Sequence, residues 1–139
     1  MKPYMECIMA EWEKTMLNKL VSADFHLREY ACQCCGRYSP LTVELVLALQ
    51  ELRDLIGKPI HVNSGVRCAN HNASVGGSKS SQHLTGRAVD VVVGGMSPEE
   101  LESCAKKVHS FVNGGIGVYA SKGFVHLDVR GKIARWREE

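Results

Sequence analysis

A histidine and an aspartate stand seven residues apart in the stretch SQHLTGRAVD (81–90), His83 and Asp90, with Gly86 between them. A second histidine, His126, lies in FVHLDVR (124–130), two residues before Asp128. Imidazole nitrogens and carboxylate oxygens are ordinary zinc ligands, and three of them with a fourth position left open make up a catalytic site rather than a structural one. Water at such a position becomes a usable nucleophile near neutral pH. The residues therefore offer His83, Asp90 and His126 as ligands of one zinc ion, with hydrolysis as the chemistry. Each also has a plainer reading, Asp90 as a turn cap and His126 as a hydrogen-bonded histidine of the core.

For these side chains to meet, the chain must fold back between His83 and Asp90, which Gly86 permits. The β-branched run AVDVVV (88–93) predicts a strand, as does IHVNS (60–64). In FVHLDVR the residues Val125, Leu127 and Val129 alternate with Phe124, His126, Asp128 and Arg130, so the polar side chains share one face and the apolar ones point to the core. Residues 116–119 form a partner strand, with ASKG as the turn between the two. The segment 64–82 is rich in Ser, Asn and Gly without periodicity and reads as a long loop of the kind that carries function.

Three helices surround these elements. Met5, Ile8, Met9, Trp12, Met16 and Leu20 make an apolar stripe over 5–20. A second helix is expected over 39–56, with Pro40 in its first turn and Gly57 and Pro59 closing it. The third starts at a capping box of Ser97 and Glu100, with Pro98 at the first helical position, and runs to Asn113-Gly114. Without repeats or low-complexity linkers, the pattern gives one α+β domain, a small antiparallel sheet flanked by helices.

Composition narrows the function classes. The 139 residues suit a single core, and 45% hydrophobic with 23% charged residues is a globular balance. A net charge of +2, without interleaved basic and aromatic residues, argues against a nucleic-acid partner or an anionic membrane surface. Charges throughout the first residues exclude a signal-peptide core, and no spanning segment follows, so the chain is expected to be cytoplasmic as synthesised. There its six cysteines stay reduced unless a metal or partner claims them. Cys32 and Cys35 read as C-x2-C and Cys68 with His71 as C-x2-H, so Cys32, Cys34, Cys35, Cys68 and His71 could form a second, structural metal site. A disulfide such as Cys34 to Cys68, or plain buried thiols, are the other readings. Cys7 and Cys104 look like core fillers.

From Phe25 to Arg130 the chain resembles the M15 family of zinc peptidases, in particular its D-alanyl-D-alanine carboxypeptidase-like branch. The stretches that carry the resemblance are NSGVRCANHNASVGGSKSSQHLTGRAVDV and GGIGVYASKGFVHLDVRG. It implies the hedgehog/DD-peptidase fold over 25–139, with 1–24 as an N-terminal flanking helix. It also implies zinc at His83, Asp90 and His126, substrate binding by Arg67 and Ser81, and a peptidoglycan stem peptide as substrate. A DD-carboxypeptidase or a phage-type endolysin released by a holin would fit. The family's usual acidic base, three residues before the last histidine ligand, is replaced by Gly123, and the alternative histidine two before it by Phe124. Asp128 is then either the general base or a carboxylate that orients a ligand. If it is not a base, the second functional class is a non-catalytic zinc domain that recognises cell-wall peptide or a protein partner.

Overall fold

The computed structural model describes residues 11–139, so Met5, Cys7, Ile8 and Met9 lie outside the described residues. Helix α1 covers Glu11–Leu17 and turns Leu17 into a small apolar cluster with Leu27 and Ala31. Trp12 faces solvent at 63% exposure, so the expected stripe does not pack there. A hairpin of β1 (Leu20–Ser22) and β2 (Phe25–His26) follows where the helix was expected to continue to residue 20, then a short helix α2 (Leu27–Tyr30).

Helix α3 spans Val43–Ile56, four residues later at its start than the sequence suggests. The cause is a contact from far along the chain. The extended Thr42 lies against the turn at Gly86, whose carbonyl accepts hydrogen bonds from both the backbone N–H and the hydroxyl of Thr42, each 3.0 Å long. Gly86 sits in the left-handed region at φ +67, and a Cβ there would fall 1.5 Å from the Pro40 carbonyl oxygen. At the other end Gly57 closes the helix in the left-handed conformation, its N–H donating to the Arg53 carbonyl.

Strands β3 (Ile60–Ser64) and β4 (Ala88–Val93) lie where their β-branched runs place them. Between them the loop expected over 64–82 contains a helix α4 (Ala69–Ser74) and runs into a 3-10 turn over Gln82–Thr85. Helix α5 (Pro98–Ala105) begins on the Ser97/Glu100 capping box but stops nine residues short of Gly114. A tight turn at Lys106-Lys107 redirects the chain into α6 (His109–Val112), which lets both Val108 and Phe111 reach the core.

The sheet is completed by β5 (Gly115–Tyr119), β6 (Phe124–Asp128) and β7 (Ala134–Glu138), in the order β3-β4-β6-β5-β7. All neighbours are antiparallel except β5 and β7, which run parallel. Period-two alternation then sorts the two faces. One register row is Val62, Val91, Val125 and Val118, all buried, and this face joins Leu45, Leu49 and Leu52 of α3 with Leu101 and Phe111 in the main core. Burying each such side chain stabilises the fold by about 1.5–3 kcal/mol. The adjacent row, Asp90, His126, Gly117 and Trp136, points to the opposite face. That face carries the site.

Candidate metal centre

Two of the three expected ligands are register partners on neighbouring strands, Asp90 of β4 and His126 of β6. His83 reaches them from the 3-10 turn, whose first N–H groups include its own, bonded to the Ser81 hydroxyl oxygen at 3.2 Å. One ligand atom from each of His83, Asp90 and His126 lies within 4.8 Å of the others, and all three residues are buried.

Hydrogen bonds fix which nitrogens face inward. The Gly65 carbonyl can only accept, so His83 Nδ1 carries the proton of that 2.7 Å bond and Nε2 is the nitrogen that faces Asp90 Oδ1, 3.2 Å away. On the other side His126 Nε2–H donates to Asp128 Oδ2 at 2.7 Å, which leaves Nδ1 facing the same Asp90 oxygen at 3.1 Å. Each histidine thus has one nitrogen committed to a fixed acceptor and the other turned toward the Asp90 carboxylate, where in its neutral form it is placed to bind a metal. Nitrogen, nitrogen and oxygen donors of this kind suit zinc.

Asp90 is held from behind. Its Oδ2 accepts from Arg67 Nη2 at 3.0 Å, and the same guanidinium reaches Ser64 Oγ through Nε (3.0 Å) and Asn72 Oδ1 through Nη1 (3.2 Å). Burial alone would raise the Asp90 pKa, but hydrogen bonds from His126 and His83 outweigh it and hold the carboxyl well below the usual range. Gly77 has to lack a side chain because a Cβ there would fall 2.1 Å from Asn72 Oδ1.

Asp128 is fully buried. Besides His126 it takes the backbone N–H of Gly115 (2.8 Å) and of Arg130 (3.1 Å), and the Arg130 guanidinium through Nε (2.9 Å) and Nη2 (2.6 Å). Burial pushes its pKa up, and the bonds from His126 and Arg130 pull it further down, well below the ordinary carboxylate range. A Cβ on Gly115 would lie 2.2 Å from the Asp128 carboxylate, so the glycine makes room for it.

A cavity of about 430 Å³ opens over this group, lined by Arg67, Ser81, His83, Asp90 and His126 with residues from the β5–β6 hairpin and from β7. Strand β7 lies beyond the strands expected from the sequence, yet its Trp136 ring centres 5.0 Å from that of His126 and its Nε1–H donates to the Tyr119 hydroxyl at 2.9 Å. The indole lies over Gly117, where a Cβ would come within 2.2 Å of it. The overlooked signal is ARWRE itself, an alternating segment with an aromatic at its centre. Glu138, two residues on, lines the same cavity.

The four cysteines 32, 34, 35 and 68 also come together, each with its Sγ within 4.8 Å of the others. His71 stands outside that group and gives its backbone N–H to Cys68 Sγ at 3.4 Å. No disulfide joins the described cysteines.

Fold and site define a class: an α+β domain with a candidate His, Asp, His metal-binding group in the wall of a cleft, the composition of a metallohydrolase centre. The chain belongs to the Peptidase M15 family, whose model matches residues 11–128. It is 29% identical over 127 residues to the probable peptidoglycan L,D-endopeptidase MepK of Haemophilus influenzae, covering 88% of this chain and 64% of that protein. It is 32% identical over 95 residues to the peptidoglycan L,D-endopeptidase MepK of Escherichia coli K12, covering 63% of this chain and 50% of that protein. The chain therefore spans between half and two thirds of the length of these relatives.

Proposed function

We propose that the chain is a zinc peptidase that cleaves peptide bonds within peptidoglycan, with His83 Nε2, an Asp90 oxygen and His126 Nδ1 as ligands. The observation that carries this reading is the convergence of one nitrogen from each of two histidines on the Asp90 carboxylate at the wall of an open cleft. Zinc bound there would supply a Lewis acid for the scissile carbonyl and acidify a water molecule at the position left open.

The chain's own residues divide the remaining work. Asp128 holds His126 in the tautomer and orientation that present Nδ1, and Arg67 does the same for Asp90. With its fork bound to Asp90, Asn72 and Ser64, Arg67 is poorly placed to act as a clamp for a free substrate carboxylate. Arg130 is similarly committed to Asp128. This favours an endopeptidase over a carboxypeptidase, in keeping with the relatives being named L,D-endopeptidases. Trp136 and Tyr119 form an aromatic wall against which a peptide can lie, and Ser81 lines the same cavity. Among the described carboxylates that line the cavity, Asp90 faces the histidines, which leaves Glu138 as the group where a proton could rest during cleavage. The engagement of Asp128 also favours a second reading, a zinc domain that binds cell-wall peptide without cutting it.

One assay separates these readings. Zinc-loaded chain is incubated with cross-linked muropeptides and with a linear stem peptide ending in D-Ala-D-Ala, and the products are weighed by mass spectrometry. Cleavage of the cross-linked material, lost in Glu138→Gln, is expected. Release of D-alanine alone would restore the carboxypeptidase reading, and binding without any product would establish the non-catalytic one.

A further inference from the structure

The four-thiol cluster lies outside the cleft chemistry and has a geometry of its own. Cys32, Cys34 and Cys35 come from the segment after α2, and Cys68 from the loop after β3. Their sulfurs lie within 4.8 Å of one another, with Cys34 and Cys68 at 3.4 Å. A tetrahedral zinc with Zn–S bonds of about 2.3 Å sets its sulfurs about 3.8 Å apart, so the four need little movement to enclose one. Burial does not account for them, since Cys32 alone is buried and the other three are partly exposed. Thiols that merely fill a core behave as small hydrophobes and have no reason to gather at one point.

The backbone supports the same conclusion. Gly36 reverses the chain at φ +77, its N–H donating to the Cys32 carbonyl at 2.8 Å while the Cys32 N–H donates to the Arg37 carbonyl at 2.7 Å. This tight knuckle brings the sulfurs of Cys32 and Cys35 together. Backbone N–H groups point at the sulfurs, from His71 to Cys68 Sγ at 3.4 Å and from Cys68 to Cys32 Sγ at 3.5 Å, and such donors favour the thiolate.

We propose that Cys32, Cys34, Cys35 and Cys68 bind a structural zinc ion as a closed four-thiolate site, separate from His83, Asp90 and His126. Four protein sulfurs leave no open position, so this ion serves folding and not hydrolysis. As the Zn–S bonds form, the thiol protons pass to solvent. The ion ties the 31–37 segment to the loop that carries Gly65 and Arg67, beside the bond from the Val66 N–H to the Tyr30 carbonyl at 2.7 Å. Gly65 holds His83 and Arg67 holds Asp90, so the second ion steadies the ligands of the first.

Cobalt substitution of the full chain under reducing conditions tests this. Cobalt on thiolates gives an intense sulfur-to-metal charge-transfer absorption that histidine and aspartate ligands cannot produce, so the band reports on the cysteine site whatever the other site binds. The expected result is that band in the parent chain, with displacement of the cobalt by zinc. The double variant Cys34→Ser with Cys68→Ser should lose the band and one equivalent of metal, and His83→Ala should keep the band. Should the double variant fail to fold, the parent spectrum and its zinc displacement decide alone. Cobalt uptake without the band, disulfides among the four residues in the purified protein, or iron in place of zinc in the isolated chain would overturn the proposal.

Discussion

Asp128 illustrates how a side chain's surroundings decide its role more than its type does. A carboxylate that receives His126, Arg130 and two backbone N–H groups has its lone pairs occupied and its pKa held down, which makes it a strong orienting group and a weak base. Asp128→Asn is therefore expected to weaken zinc affinity by about 10–100-fold while leaving metal-saturated turnover near the parent value. A fall of about two to four orders of magnitude in kcat at saturating zinc would instead make Asp128 the base. Arg67→Ala should weaken zinc binding in the same way, because it frees Asp90 Oδ2. His126 makes the site sensitive to pH: burial lowers its pKa, but the hydrogen bonds it gives to Asp128 and Asp90 win and raise it. In metal-free protein its stabilising contribution is complete below the unfolded value of about 6.5 and fades as pH rises through the higher folded value. Zinc needs the neutral Nδ1, so affinity measured by titration should climb over that same interval, and a flat profile would contradict the ligand assignment. The three candidate ligand residues, which the fold does bring together, were legible in the sequence because type and spacing carry chemistry. Their tautomers and the engagement of Asp128 were not, since these depend on a glycine carbonyl at 65 and an arginine fork.

Strands were easier to read than helices here, and the reason is the range of the interactions that end them. IHVNS, AVDVVV and FVHLD form where their alternation places them because one face packs on α3, α5 and α6 and the pattern is local. The start of α3 is set by the Gly86 carbonyl, more than forty residues away along the chain, which no local propensity encodes. The strand β7 went unread for a similar reason: its pairing with β5 is parallel and nonlocal, and its value lies in Trp136 reaching across Gly117 to His126. Gly117→Ala tests that arrangement. The new Cβ would fall 2.2 Å from the indole, so the ring must move. Overpacking of this kind costs about 1–3 kcal/mol. Thermal unfolding should show a loss of that order, and the fluorescence of Trp136 should shift as its bond to Tyr119 breaks. Unchanged fluorescence and stability would mean that the indole does not occupy this place in solution.

At the scale of the whole chain, a sheet with one apolar and one polar face solves two problems at once. The apolar face builds the core against the helices, and the polar face lines up Asp90 and His126 in register while loops bring His83 and Arg67 to them. Membership of the M15 family rests on residues 11–128, while Trp136 and Glu138 of the cleft lie beyond that match. Among the described residues no helix is long and apolar enough to cross a membrane. The most direct test of the central claim is the release of soluble peptides from purified peptidoglycan by the zinc-loaded chain, measured beside the chelated chain and His126→Ala of verified fold. Products from the zinc-loaded chain, and none from the other two, are expected. Equal release by His126→Ala, or no release by a parent chain shown to hold zinc at His83, Asp90 and His126, would contradict it.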